Sequence, residues 1–598
     1  MTGPADPGAW GVASGYWDYA GEWREAPPAT VAAILEGMGA GPGGPAPPVA
    51  ITVRLDRPRP DLGPGRVVTE DGGELISAGP LPADLPPGYH RLEPRDGPAR
   101  PLIVSPGRAP LPGGRQWGFA AQLYATRSGH SWGIGDLDDL RRLNGWARGQ
   151  GAGFTLVNPL HAATPGPPRQ PSPYFPGSRC FVDPIYIAVE KAPGAGQIRD
   201  LAERSASGRG LNGERIIDRD RVWALKVEAL AELFDLTRGD VGFAAYRAAR
   251  GATLERFATY CALAERHGPD WRSWPEGPTA DPARRDFHAW MQWVAEEQAA
   301  AADRALGLVT DLAVGVDPAG PDAWIWPDSF ASGVRVGAPP DEFNTQGQDW
   351  GFPPFDPWRL RAGGYAPWIE ALRSGMTHAA GVRIDHVMGL FRLYWIPEAV
   401  DVDAGTYVSY PHEDMLDIVA LEADRAGAYV VGEDLGTVEE RVRTDLAERR
   451  ILSYRVWWFE DGPTEEWPEM AMGAVTTHDL PTVAGVLSGS DLEAQRRIGS
   501  TPNEESSAAL LQRLRERAPG ATPAEVVAAA YEDLSRAPCR LLVATLDDAL
   551  QVEERPNMPG TTDAWPNWSI ALPVPLEELE KAPLASRLAN LLRRGRGG

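Results

Sequence analysis

The chain has 598 residues, 43% of them hydrophobic, enough for a large core and more than one domain. Its formal net charge of −24 excludes nucleic acid and anionic membrane surfaces as partners, since both require a basic patch, and favours a neutral ligand. Cys180, Cys261 and Cys539 are far apart and lack metal-ligand spacing, MTGPADPGAWGV shows no signal-peptide pattern, and no apolar run reaches about 18 residues, so a cytosolic protein with reduced thiols and no membrane span is expected.

Residues 1–48 hold one predicted helix, ATVAAILEGMGA, and end in the linker GAGPGGPAPP at 39–48. Residues 49–115 carry the short runs VAITVRL, GRVVTE, GELISAG, GYHRLE and RPLIVSP between Pro/Gly turns. They predict a small antiparallel, sandwich-like β domain that closes in the linker GRAPLPGGR, at 107–115. From 116 to 598 eight strand-like runs follow: 118–125, 154–160, 306–315, 381–387, 428–435, 452–459, 474–480 and 539–546. Helical patterns separate many of them, which is the alternation of a (β/α)8 TIM barrel, an α/β fold. Helical insertions are expected at about 161–305, too long for a loop, and at about 492–537. The C-terminus should be a helix with a frayed basic end.

Three acids stand at the ends of apolar runs: Asp385 in GVRIDHVMGL, Glu433 in AYVVGEDLGTV and Asp479 in AVTTHDLPT. A single acid after such a run is more often a helix cap or a solvated loop residue. Here each lies where a parallel strand should end, the end at which barrel active sites are built. Arg383 is two residues before Asp385 and so on the same strand face, where it favours the ionised carboxylate. His386 follows Asp385, and His478 precedes Asp479. Paired carboxylates are the usual equipment for breaking a glycosidic bond, and a third can steady the charge on the sugar. DVDAGTY lacks the full calcium-loop spacing, and no metal site or dinucleotide fingerprint is expected.

RIDH, GEDLGTV and THDLPT resemble the three signature strands of the amylomaltases, the 4-α-glucanotransferases related to the α-amylase superfamily. GAPPDEFNTQGQDWGFPPFDP, at 337–357, resembles a loop specific to amylomaltases. SWGIGDLDDL, NPLHA, SPYFPGSR, DLAVGVDP and NMPGTTDAWPNW follow the family order over roughly 115–575, most like the longer bacterial form with an N-terminal extension. The resemblance implies a retaining transfer of α-1,4-glucan segments between maltooligosaccharides, without a cofactor. It makes Asp385 the nucleophile, Glu433 the general acid and then base, and Asp479 the stabiliser of the oxocarbenium-like transition state. Asp341, Gln348 and Trp350 of the 337–357 loop are expected to hold the acceptor, with Trp350 stacking on sugar. His386 and His478 are expected to bind hydroxyls or orient carboxylates. Asp311 is either near the donor sugar or structural, and Tyr124, Asn158 and Ser172 are further substrate-binding candidates. Phe175 and the missing aromatic after Thr482 depart from the family pattern. An α-amylase-like hydrolase and a silent glucan-binding protein are the alternatives.

Overall fold

The computed structural model describes residues 5–42, 44–45, 50–341, 346–436, 438–499 and 503–594. Parts of the 39–48 linker and of the 337–357 segment, Thr437 of GEDLGTV, and the last four residues of the basic end lie outside the described residues.

Eight strands form one sheet: β1 (Gln116–Ala121), β2 (Phe154–Val157), β3 (Leu308–Leu312), β4 (Gly381–Ile384), β5 (Tyr429–Gly432), β6 (Ser453–Val456), β7 (Ala471–Ala474) and β8 (Leu541–Thr545). The order is β5-β4-β3-β2-β1-β8-β7-β6. A parallel bridge between Val431 and Leu452 joins the two ends, with Gly432 N donating to Leu452 O and Leu452 N to Val430 O. The result is the expected (β/α)8 barrel. Its strands are almost wholly buried, as a parallel sheet covered by helices requires.

One strand sits elsewhere than predicted. The seventh run was read at 474–480, but β7 is AMGA, and VTTHDL continues beyond it. Small residues are needed here. A Cβ on Gly473 would come within 3.2–3.3 Å of Leu542, Leu534 and Trp467. The strand therefore lacks the β-branched signal that the following VTT supplies.

The chain divides into two compact units. One comprises Pro112–Ile325, His378–Gly381 and Tyr454–Gly598. In it, β1 pairs in parallel with β2 and β8, β2 with β3, and β7 with β8. Its insertion after β2 begins with a short antiparallel pair, His161–Ala162 with Ser178–Val182. The helices Leu201–Gly210, Arg219–Thr237, Val241–His267 and Pro282–Ala305 follow. Asp218, Asp240 and Asp281 cap the last three by accepting backbone N–H groups. The predicted 492–537 insertion is also helical, as Ser490–Arg497, Glu504–Arg517 and Pro523–Leu534. The terminal helix is Pro583–Arg594.

The other unit comprises Met1–Leu111, Trp326–Thr377 and Val382–Ser453. The strand-rich N-terminal stretch is one five-stranded sheet rather than two facing ones. It is antiparallel except that its first strand, Ile51–Arg54, runs parallel to Arg100–Ser105. Its core is Val53, Val67, Leu81, Leu85, Leu92, Leu102 and Val104. It docks on helices that flank β5. Ser105 Oγ donates to Asp417 O, Ala109 N to Arg449 O, and the buried Arg449 guanidinium to Asp417 Oδ1 at 2.7 Å. Residues 49–111 thus pack against helices of the same compact unit. The predicted N-terminal helix is Pro28–Gly37, and it is preceded by an unpredicted hairpin of Gly15–Trp17 and Trp23–Glu25. A four-stranded antiparallel sheet completes the unit, in the order Gln348–Asp349, Val334–Ala338, Arg392–Pro397, Thr406–Ser409.

Candidate active site

The ends of β4 and β5 are laced together. Glu433 N donates to Ile384 O at 3.0 Å, and Val387 N donates to Glu433 O at 2.9 Å. Asp385 and Glu433 are therefore the first residues beyond their strands. Arg383, on the same face of β4 as Asp385, has a side chain only 5% exposed. Its guanidinium lies 2.9 Å from Asp385 Oδ1 and 4.0 Å from Glu433 Oε2. A buried cation thus faces two carboxylates, and its field is weakly screened there.

Glu433 is also fixed by the backbone. His386 N donates to Oε2 at 2.9 Å and Leu435 N to Oε1 at 2.8 Å. His386 reaches this position with φ 44°, in the left-handed region that non-glycine residues seldom occupy. Such strain persists only where surrounding contacts enforce it. Burial pushes the His386 imidazole below its ordinary pKa, outweighing the opposing pull of Glu433, so the ring is neutral near pH 7. Trp350 stands edge-on to it, ring centroids 5.2 Å apart, and donates its indole N–H to Gln348 Oε1 at 3.2 Å. Asp341 is half-buried next to the undescribed residues 342–345.

A second cluster lies in the other unit. Asp479 is five residues past β7, on the loop that the strand reading had placed inside the strand, with its side chain 46% exposed. His478 Nε2 is 3.0 Å from Asp479 Oδ2, and Asn557 Nδ2 donates to Oδ1 at 2.7 Å. Arg555 donates to the Asp479 carbonyl and pairs with Asp491 through two hydrogen bonds. The Tyr174 hydroxyl donates to Asp311 Oδ2 at 2.6 Å and lies 3.3 Å from His478 Nδ1. Its ring stacks on His478 at 4.7 Å and lies 5.1 Å from Trp568. Trp568 holds a left-handed φ of 60°, with its carbonyl accepting from Arg219. Asp311, Tyr174, His478, Asp479 and Asn557 form one continuous polar chain.

The other predicted residues have local duties. Asn158 is buried, with its carbonyl oxygen accepting from Leu123 N and its amide donating to Pro159 O. Ser172 Oγ accepts from Tyr174 N and shapes the turn that presents that tyrosine. Tyr124 is buried past the end of β1, its ring 5.2 Å from the Arg219 guanidinium and its hydroxyl without a hydrogen-bond partner among the described residues. Tyr174, Asn557, Trp568 and Arg555 were not singled out from the sequence, although the first three lie in SPYFPGSR and NMPGTTDAWPNW. Among the described residues no group of three or more His, Cys, Asp or Glu could hold a metal ion, and no helix is long and apolar enough to cross a membrane.

A family model described as 4-alpha-glucanotransferase, glycoside hydrolase family 77, matches residues 121–576. The 4-alpha-glucanotransferase of Mycobacterium tuberculosis is 44% identical over 586 residues, covering 86% of this chain and 80% of that protein. The Haemophilus influenzae 4-alpha-glucanotransferase is 31% identical, covering 79% and 78%. The crystal structure of amylomaltase from Corynebacterium glutamicum superposes with TM-score 0.87 at 31% identity, covering 98% of each chain.

Proposed function

The chain belongs to the 4-alpha-glucanotransferases of glycoside hydrolase family 77, enzymes acting on α-1,4-glucans, and from that premise we propose how its own residues carry out transfer. Asp385 attacks the anomeric carbon of a maltooligosaccharide donor and forms a covalent glycosyl-enzyme. Glu433 protonates the departing glycosidic oxygen. It then takes the proton from the incoming 4-hydroxyl, so the α-linkage is retained. Asp479 opposes the positive charge that develops on the sugar ring. The observation that carries this reading is Arg383. A buried guanidinium 2.9 Å from Asp385 keeps a nucleophile ionised and aimed, as a carboxylate that must attack requires.

Glu433 has one backbone N–H on each oxygen, and each oxygen keeps a second lone-pair direction on which a proton can be carried. His478 and Asn557 hold the two oxygens of Asp479, which supports a fixed charge rather than a mobile base. The glycosyl-enzyme can pass to water or to a sugar hydroxyl. Water is present at tens of molar, whereas an oriented acceptor can reach effective molarities of about 10⁵ M or more. Trp350, held against His386 and Gln348, is suited to bind that acceptor by stacking, with Asp341 as a further contact.

The test is incubation of the purified protein with maltotriose, without metal or nucleotide, and separation of products by length. Glucose with a ladder of longer maltooligosaccharides is expected. Glucose and maltose alone would mean that water wins and the chain acts as a hydrolase. Absence of products would point to another donor or to a silent glucan-binding protein.

A further inference from the structure

The hairpin of Gly15–Trp17 and Trp23–Glu25 exposes three aromatic side chains, Trp17 at 69%, Tyr19 at 57% and Trp23 at 47%. Most other tryptophans are part of packed structure, with Trp117, Trp290, Trp395, Trp457 and Trp458 almost wholly buried. Trp17 and Trp23 face one another across the hairpin, ring centroids 5.5 Å apart and planes inclined at 66°.

The hairpin is built to hold them. Asp18 accepts from Ala20 N at 3.0 Å, from Glu22 N at 2.8 Å and from Arg24 Nε at 2.8 Å, which fixes the turn. The Trp23 indole lies over Gly15, where an added Cβ would sit 2.7 Å from the ring. Tyr16 points the other way, as strand alternation dictates, and packs edge-on against Tyr394 and Tyr407. One face of the hairpin anchors, and the other presents aromatics to solvent.

The anchor leads toward the first carboxylate cluster. Val12 bridges Val408, Ala13 N donates to Tyr407 O, and Ser409 N donates to Gly11 O. Gly11–Ala13 thus extends the four-stranded antiparallel sheet, whose far edge is Gln348–Asp349, next to Trp350. At about 4.8 Å per strand, the sheet spans roughly 19 Å from that edge to the hairpin's root.

We propose that Trp17, Tyr19 and Trp23 form a surface platform that binds long α-1,4-glucan chains outside the catalytic cleft. The inference rests on α-1,4-glucan being the substrate class. Inclined rings suit the curved α-1,4 chain, whereas a flat sugar ribbon needs coplanar ones. Asp18, Glu22 and Arg24 border the rings with groups that hydrogen-bond hydroxyls, and the net charge of −24 disfavours a polyanion. A chain held here lies along the sheet that carries Trp350, which raises its local concentration at the cleft.

The Trp17→Ala/Trp23→Ala variant tests this, by migration in native gels containing soluble amylose and by initial rates on maltotriose and on long linear glucan. Wild type should be retarded by amylose and the variant should not. The variant's KM for long glucan should rise about fivefold or more, with kcat and KM for maltotriose unchanged. Equal retardation and equal KM would overturn the platform. So would a change in oligomeric state by sedimentation with retardation intact, since a second copy would then cover the rings. If the double variant melts early, Trp17→Ala alone, the most exposed ring, is read by the same criteria. Wild type that is retarded but inactive on maltotriose would sink the transfer reading and leave the platform standing.

Discussion

Replacing Tyr174 by Phe removes one oxygen and nothing else. The ring remains stacked on His478 at 4.7 Å and beside Trp568 at 5.1 Å. What disappears is a 2.6 Å hydrogen bond to Asp311 Oδ2 and a 3.3 Å contact with His478 Nδ1. Asp311 is buried, so this loss is not made good by bulk water. Hydrogen bonds to charged groups contribute roughly 1.5–3 kcal/mol, which corresponds to about a tenfold to hundredfold loss if the contact is needed in the transition state. The lower figure is expected, because Asp311 has further interactions. The assay is kcat/KM for maltotriose disproportionation, with a thermal midpoint as control. Tyr174→Leu should lose more, since it also removes the stack that sets the His478 ring. Asp311→Asn supplies the cycle: if hydroxyl and carboxylate act as a unit, the double variant is little worse than the worse single one. A Tyr174→Phe enzyme within twofold of wild type, or a strictly additive cycle, would refute the claim that the polar chain from Asp311 to Asp479 is catalytically coupled.

Other consequences are open to measurement. Glu433→Gln should cost about 10²–10⁴-fold in maltotriose turnover while the thermal midpoint holds, and a near-normal rate would reject the acid/base assignment. Arg449→Met leaves Asp417 buried with Arg54, 3.9 Å away, as its one remaining cation among the described residues; a loss of about 3 kcal/mol in unfolding free energy is expected, with partial recovery when Asp417→Asn is added. Asp547, just past β8, is pushed up to about 7 from its ordinary 3.8, first by burial and then by neighbouring Asp548. A folded state that holds its proton more tightly than the unfolded chain is favoured at low pH. That contribution is complete below pH 4 and declines as pH rises to about 7. Asp547→Asn should therefore raise stability at pH 8, by about 1–3 kcal/mol, and flatten the decline between pH 4 and 7; an unchanged profile would reject the shift.

The legible parts of this protein are those written in local pattern. The runs GVRI and YVVG announce β4 and β5 through branched, apolar residues, and the acid directly after each marks the strand end. Strand β7 was misplaced because its close packing calls for Ala and Gly, which carry no strand signal. Tyr174 was passed over for a different reason. Its contacts with Asp311, His478 and Trp568 lie at sequence separations that no local pattern encodes. Asn158 is a polar residue at a strand end whose contacts with the backbone of Leu123 and Pro159 no local pattern announces. The exposed hairpin was invisible because three-residue strands leave too little alternation to read.

The docking of the N-terminal sheet has a consequence for how the chain is made. Ser105 and its acceptor carbonyl on Asp417 are 312 residues apart. A ribosome adding about 5–20 residues per second needs roughly 15–60 s to deliver the second after the first. Throughout that interval the face that will meet the Asp417 helix has no native partner, and the segment from Pro112 to Ile325 emerges before β8, with which its own β1 pairs, has been made. The first hundred residues must therefore be held in waiting, which makes the newborn chain, more than the finished enzyme, the species most exposed to misassembly.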